Sequence, residues 1–144
     1  MYQVQRKNRI VEQLQLVYPN GNVAYTLDVD INVDRTGGQI DHAYELVGIA
    51  RNAIMKDPNS DEAALSYAQT VIALFTAIFG EDNCDKLLTF YEAKNKSQKE
   101  AAGIATEMLV DLFPFINNEI IPKVREASAE RKKQLLEMAK AVNK

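Results

Sequence analysis

The chain contains one cysteine, one histidine and no tryptophan in 144 residues. A lone cysteine, Cys84, forbids an internal disulfide and fits a reducing compartment. A lone histidine, His42, leaves a zinc ion with carboxylates as its other ligands, an unfavourable donor set. Glycine is sparse, and Gly37-Gly38 stands without the remainder of a GxGxxG or Walker pattern, so no phosphate cradle is written here. No apolar run reaches the roughly 18 residues of a membrane span, and the N-terminal MYQVQRKNRI has no apolar signal core. Nor is there an excess of positive charge: the net charge is −3 and the isoelectric point about 5.2, which gives no electrostatic reason to expect nucleic acid. The tyrosines stand among acidic neighbours instead of on a basic platform for single strands. No repeat or low-complexity segment is evident. What remains is ordinary for one cytosolic globular domain, with 47% hydrophobic and 26% charged residues and enough chain to bury a core.

The stretch LDVDINVD, Leu27–Asp34, places Asp28, Asp30, Asn32 and Asp34 at alternate positions, the spacing at which a calcium loop begins. An EF-hand loop also needs glycine at its sixth position and glutamate at its twelfth. Counted from Asp28, those positions hold Val33 and Gln39. The strand reading is stronger. Val23, Tyr25, Leu27, Val29, Ile31 and Val33 alternate with polar residues and Ala24, the period of a half-buried antiparallel strand. Side chains in one such row stand too far apart to wrap an ion, so the carboxylates read as a solvated strand face.

The sequence predicts an α+β fold, predominantly α, with an N-terminal β-hairpin followed by a bundle of four or five helices, the last one long. Residues 1–38 form the hairpin, 39–126 a helical body and 127–144 a basic helical tail that projects. Ile10–Tyr18 is the first strand. Asn20-Gly21 within PNGN is the signature of a two-residue type I′ turn, in which both central residues take positive φ. The apolar face of the hairpin needs a cover, either the helices that follow or a second copy of the chain. Thr36 and Gln39 have capping-box spacing and open the first helix, which carries Ile40, Tyr44, Val47, Arg51 and Ile54 on one stripe. Asp57 and Pro58 suit the cap and first position of the next helix. That helix buries Leu65, Ala68, Val71, Ile72, Phe75, Ile78 and Phe79, and Gly80 ends it. A short helix from about Asp82 to Ala93 follows. Ser97 and Glu100 make a second capping box, opening a helix with Ile104, Ala105, Met108, Leu109, Leu112 and Phe113. Pro114 is expected to stop or kink that helix.

Chemistry is thin. A Cys84–His42 nucleophile pair is conceivable only if the fold brings the two together, and a helix N-terminus would lower the Cys84 pKa. The pairs Asp61/Glu62 and Glu81/Asp82 lie at helix starts, where capping and the macrodipole account for them. Charge is uneven: Gln39–Ala93 holds nine acidic residues against Arg51, Lys56 and Lys86, whereas Lys123–Lys144 holds seven basic against three acidic. The basic tail suits either a solvated helix end or a docking segment for an acidic surface. With no catalytic constellation, cofactor or metal site, the chain reads as a binding or assembly protein.

Two segments carry a resemblance. VIALFTAIFGEDNCDKLL, Val71–Leu88, is a helix ending in Ala77-Ile78-Phe79-Gly80, then acidic residues and a short helix. MLVDLFPFINNEIIPK, Met108–Lys123, is an aromatic-rich helix. The pattern resembles the tail assembly chaperones encoded in the tail gene clusters of Gram-positive siphophages and prophages, which also set a β element before a helical body. The resemblance implies a non-enzymatic helper in the host cytoplasm. Such a helper would bind the tape measure protein, and by extension the tail tube protein, during tail morphogenesis, and some members exist in a longer frameshifted form. A small helical body with an apolar groove suits such a client, because an amphipathic helix presents anchors at i, i+3, i+4 and i+7. Candidate anchors are Phe113, Phe115, Ile116 and Ile120, each of which has core packing as its alternative role. Leu135, Leu136 and Met138 suit an intermolecular contact better, since little of the chain is left to cover them.

Two other readings compete. One is a structural tail or head–tail connector component whose hairpin joins a ring. The other is a small cytosolic enzyme using Cys84 or His42. The hairpin's edge and apolar face also predict a homo-oligomer.

Overall fold

The computed structural model describes residues 1–5 and 8–143. It has an N-terminal antiparallel hairpin of β1 (Arg9–Val17) and β2 (Val23–Asn32), followed by α1 (Val33–Lys56), α2 (Asp61–Phe79), α3 (Glu81–Phe90), α4 (Gln98–Phe115) and α5 (Ile121–Val142). A single π-helical turn, Ile116–Ile120, joins α4 to α5 without a break. The fold is α+β and mostly α, with the long helix last.

The hairpin follows its alternation. Ile10 faces Ile31, Leu14 faces Leu27 and Leu16 faces Tyr25 across the ladder. Leu27, Val29 and Ile31 are buried, and β2 lies against α1, α2 and α3. Helices, not a second sheet, therefore cover the apolar face. The turn differs from the expected type I′. The Gly21 amide donates to the Tyr18 carbonyl at 2.9 Å and the Tyr18 amide to the Asn22 carbonyl at 2.9 Å. Positive φ occurs at Gly21 (88°) and not at Asn20. Pro19 and Asn20 are thus the central residues of a three-residue loop closed by a glycine bulge. Pro19 decides this: its ring fixes φ near −65°, the value the first central position of a type I turn requires.

The strand also ends earlier than its alternation suggests. Asn32, not Thr36, caps α1, its side chain accepting the Arg35 amide at 3.3 Å. The Thr36 hydroxyl donates back to the Asn32 carbonyl at 3.0 Å, and Gly37-Gly38 lies inside the helix. Val33 is buried and Asp34 exposed, as either a strand or a helix would have them, so periodicity could not locate the switch. Gly37 has a packing reason. A Cβ there would lie 2.8 Å from Val33 Cγ1 and 3.4 Å from Val124 Cγ1, which lets α5 approach α1 closely.

Helix α2 is the centre of the core. Ser60, not Asp57, is its cap, accepting the Ala63 amide at 3.1 Å. Its buried face is Ala64, Tyr67, Ala68, Val71, Leu74, Phe75, Ile78 and Phe79. Leu65, expected inside, is exposed, while Tyr67 and Leu74 are inside, because α1 and α4 both pack on α2 and rotate the buried stripe. By length and composition α2 would pass as a membrane span, although no run so long stood out in the sequence; here its apolar face is taken up by the hairpin and helices. Gly80 ends α2 and starts α3 with φ 82° and ψ 167°, a conformation open essentially to glycine alone. Ser97 caps α4 as expected, accepting the Glu100 amide at 3.3 Å and donating to its carboxylate at 3.0 Å.

Pro114 lies inside α4, one residue before α4 passes into the π turn. The helical path continues to Val142, and the irregularity appears instead as the wide turn before Pro122, where the Ile121 amide bonds the Ile116 carbonyl. A proline ring inside a helix collides with the carbonyl one turn back, and one extra residue in the preceding turn relieves that collision.

Candidate docking groove

The long helix pairs antiparallel with α1. Arg125 bonds Asp41 at 3.0 Å, the Arg125 guanidinium lies 5.7 Å from the Tyr44 ring centroid, and Arg131 bonds Asp34 at 2.9 and 3.0 Å. Along the N-terminal half of α1 this pairing is tight, through Gly37 and Val124. Toward the C-terminal half, α1 and α4 part, and Tyr67 of α2 floors the gap. Its hydroxyl lies 3.1 Å from the Thr106 hydroxyl. The result is an open groove of about 330 Å³ lined by Arg51, Ile54, Met55, Tyr67, Thr106, Leu109, Val110 and Phe113. Thr106, Leu109, Val110 and Phe113 recur at i, i+3, i+4 and i+7 along one wall. Met55, Val110 and Phe113 are exposed at 71%, 65% and 46%. Four larger clefts among the described residues, of about 370 to 600 Å³, carry charged side chains such as Lys123, Glu126 and Glu130, or Glu92, Glu107 and Asp111. The smaller groove is the apolar one.

The expected partner residues divide. Phe113 lies on the groove. Ile116 and Ile120, on the π turn, do not: they are fully buried. Phe115 is half-buried and stacks on Phe79, with ring centroids 6.1 Å apart. Ile116 and Ile120 are core residues, which corrects their assignment as anchors, whereas Phe115 packs against the core and stays partly exposed. Leu135, Leu136 and Met138 are exposed, on a helix end that no described residue covers.

Sequence reasoning missed Met55, Tyr67, Thr106 and Val110. The signal was present, since α4 has a core stripe of Ala102, Ala105, Met108 and Leu112 and a second apolar stripe through Leu109, Val110 and Phe113. A helix with two apolar stripes has one more than its own core needs.

The polar groups are engaged in pairs. Asp28 accepts from Gln13 Nε2 at 2.9 Å, Asp30 pairs with Arg9, Asn32 caps α1, and Asp34 holds Arg131. The row of acidic residues is therefore distributed over two elements. Arg131 keeps the Asp34 carboxyl below the usual carboxylate range. Glu12, on the inner row of β1, reaches Lys123 at 3.1 Å, and Glu119 reaches the same ammonium at 3.3 Å; both raise the lysine pKa. Cys84 is buried and accepts from the Thr76 hydroxyl at 3.4 Å. Burial raises the thiol pKa, which corrects the expectation that the helix start would lower it. His42 is exposed on α1, so the fold does not present it to the buried thiol. Among the described residues, no three His, Cys, Asp or Glu side chains come together as metal ligands. Comparison with known families, curated proteins and solved structures yields no match to this chain.

Proposed function

We propose that the protein is a phage tail assembly chaperone of the kind its central segments resemble, holding an amphipathic helix of the tape measure protein in the host cytoplasm. The groove between α1 and α4 is the observation that carries this reading. Its long wall offers side chains at helical spacing, its lining is mostly apolar, and no described residue covers it. An amphipathic client helix laid there buries one apolar stripe while its polar face stays wet. The hydrophobic effect then supplies affinity without chemistry, at roughly 25 cal/mol for each Å² of apolar surface removed from water. The tail tube protein, which meets the same client, is the natural second partner.

Co-expression with a siphophage tape measure protein tests the proposal. The expected result is a soluble, co-purifying client, and loss of that effect in Val110→Glu, which places a charge in the groove. A client that stays insoluble with the wild-type chain, or that is equally soluble with the variant, overturns it. A structural role in the virion is favoured by a different feature: the outer edge of β1 is unpaired in the two-stranded sheet and carries exposed Val11 and Val17. Mass spectrometry of purified virions separates the two readings, because a chaperone is absent from the finished particle.

A further inference from the structure

The two outer edges of the hairpin are not alike. The Val33 amide donates to the Asn8 carbonyl at 2.9 Å, and these two residues continue the register of Arg9 with Asn32 and Ile10 with Ile31. Hydrogen-bonded and non-hydrogen-bonded pairs alternate in an antiparallel ladder. Ile10, Glu12, Leu14 and Leu16 therefore direct their main-chain groups to β2, and Arg9, Val11, Gln13 and Gln15 turn theirs outward. On β2 the outward groups belong to Thr26, Asp28, Asp30 and Asn32. Two of those carbonyls are occupied: Asn83 Nδ2 of α3 donates to the Asp28 carbonyl at 2.9 Å, and the Thr36 hydroxyl to that of Asn32 at 3.0 Å. The same row holds two carboxylates, so a second β2 beside it would bring like charges together. No such guard stands on β1. Among the described residues, no hydrogen bond outside the ladder reaches its main chain between Arg9 and Val17. It has no proline, no lysine and no bulge before Leu16/Val17, the devices that commonly blunt an edge. Its one inward charge, Glu12, is neutralised by Lys123 at 3.1 Å, and Arg9 pairs with Asp30 of β2. Val11 is 69% exposed.

We propose that β1 of one copy pairs antiparallel with β1 of a second copy, across a two-fold axis at Gln13, so that two hairpins make one four-stranded sheet. The occupant of the edge is a second copy because the edge complements itself. With Gln13 opposite its own equivalent, Val11 faces Gln15 of the second copy, Ile10 faces Leu16, Glu12 faces Leu14 and Arg9 faces Val17. No charge meets a like charge, and the inward apolar row continues from one chain into the next. Gln13 turns its main chain outward, so the axis falls on a hydrogen-bonded pair. It is also the middle of the nine residues of β1, and an axis at Val11 or Gln15 pairs fewer of them. Both helical layers then lie on one face of the sheet. Since β2 rests on α1, α2 and α3, those layers are centred under β2 and not under the strand at the axis. The interface is isologous, the same patch on both partners. It closes at two copies, because the edge left at either end is the guarded one of β2. The inference is independent of the α1–α4 groove, which is built from other elements.

Sedimentation velocity on the full-length chain tests it. The wild type passes from monomer to dimer as concentration rises and stops there. Gln13→Pro removes an amide hydrogen that points away from β2, so the hairpin keeps its ladder while the edge loses a bond at the axis. Its dimer is at least about tenfold weaker, the equivalent of about 1.4 kcal/mol. Two double variants test the register without proline. Val11→Lys with Gln15→Lys, and Val11→Glu with Gln15→Glu, each set like charges opposite one another, and each dimerises about fivefold or more weakly than wild type. Mixed, the two double variants form a heterodimer in preference to either homodimer, because position 11 faces position 15. Circular dichroism confirms that each variant keeps the wild-type helical signal; if Gln13→Pro does not fold, the double variants decide alone. A wild type that remains monomeric at the highest attainable concentration or grows beyond a dimer, a dimer indifferent to a folded Gln13→Pro, or a mixture that gains no heterodimer overturns the proposal. Val110→Glu in the groove leaves the dimer unchanged, so failure of this interface and failure of the client reading are separate results.

Discussion

Gly37 and Gly38 are adjacent in α1, and replacing each with alanine should move stability differently. A glycine inside a helix costs about 0.8–1.0 kcal/mol relative to alanine. At Gly38 a new Cβ meets nothing within 4 Å, so Gly38→Ala collects that gain, about 0.5–1 kcal/mol. At Gly37 the same methyl meets Val33 Cγ1 at 2.8 Å and Val124 Cγ1 at 3.4 Å. Val33 is buried, and a β-branched side chain in a helix has essentially one rotamer, so it cannot turn aside. Overpacking of this kind costs about 1–3 kcal/mol, and against the propensity gain Gly37→Ala ends between about zero and 2 kcal/mol less stable than wild type. The two variants therefore differ by about 1–3 kcal/mol, several degrees in Tm for a domain of this size. Urea denaturation followed by far-ultraviolet circular dichroism measures both. If Gly38→Ala destabilises as much as Gly37→Ala, the helix does not run through these residues, and the contact between α1 and α5 is wrongly placed.

Two further outcomes follow from the division of the aromatic-rich helix and from the Asp34 contact. Ile120→Ala, at a fully buried site, should cost about 2–5 kcal/mol in chemical denaturation, whereas Phe113→Ala, on the groove, should change stability by under about 1 kcal/mol and weaken client capture; equal destabilisation by both would put Phe113 in the core. The Asp34 carboxyl is held low by Arg131, so the contact favours the fold above the ordinary carboxylate pKa and is lost as pH falls through the lowered value. Amide exchange in residues 132–142 should accelerate there, and Arg131→Ala should show the faster exchange already at neutral pH; exchange in the variant that matches wild type at neutral pH would mean the pair does not anchor the tail.

The sequence by itself determined the elements whose signals are local. Alternation from Val23 to Ile31 specified a strand with one apolar face, because side chains on a strand alternate by geometry. Ser97 and Glu100 specified a helix start, because amides of a first turn need acceptors. Gly80 marked the end of α2, because few other residues adopt its backbone conformation. The lack of paired histidines and cysteines was equally legible. Periodicity failed where two structures share a phase. Val33 and Asp34 fit the end of a strand and the start of a helix equally, and the bond from the Val33 amide to the Asn8 carbonyl at 2.9 Å joins residues far apart in the chain.

The tertiary structure alone decided which apolar residues are spare. Phe113, Phe115, Ile116 and Ile120 look alike in sequence. The π turn between Pro114 and Pro122 holds both isoleucines buried, while Phe115 stacks on Phe79 and Phe113 stays at the surface. The groove likewise comes from three helices meeting near Tyr67, where α1 and α4 part. A surface of that kind is a difference between what a helix could bury and what its neighbours reach. It depends on distances between segments, and no window of sequence contains them.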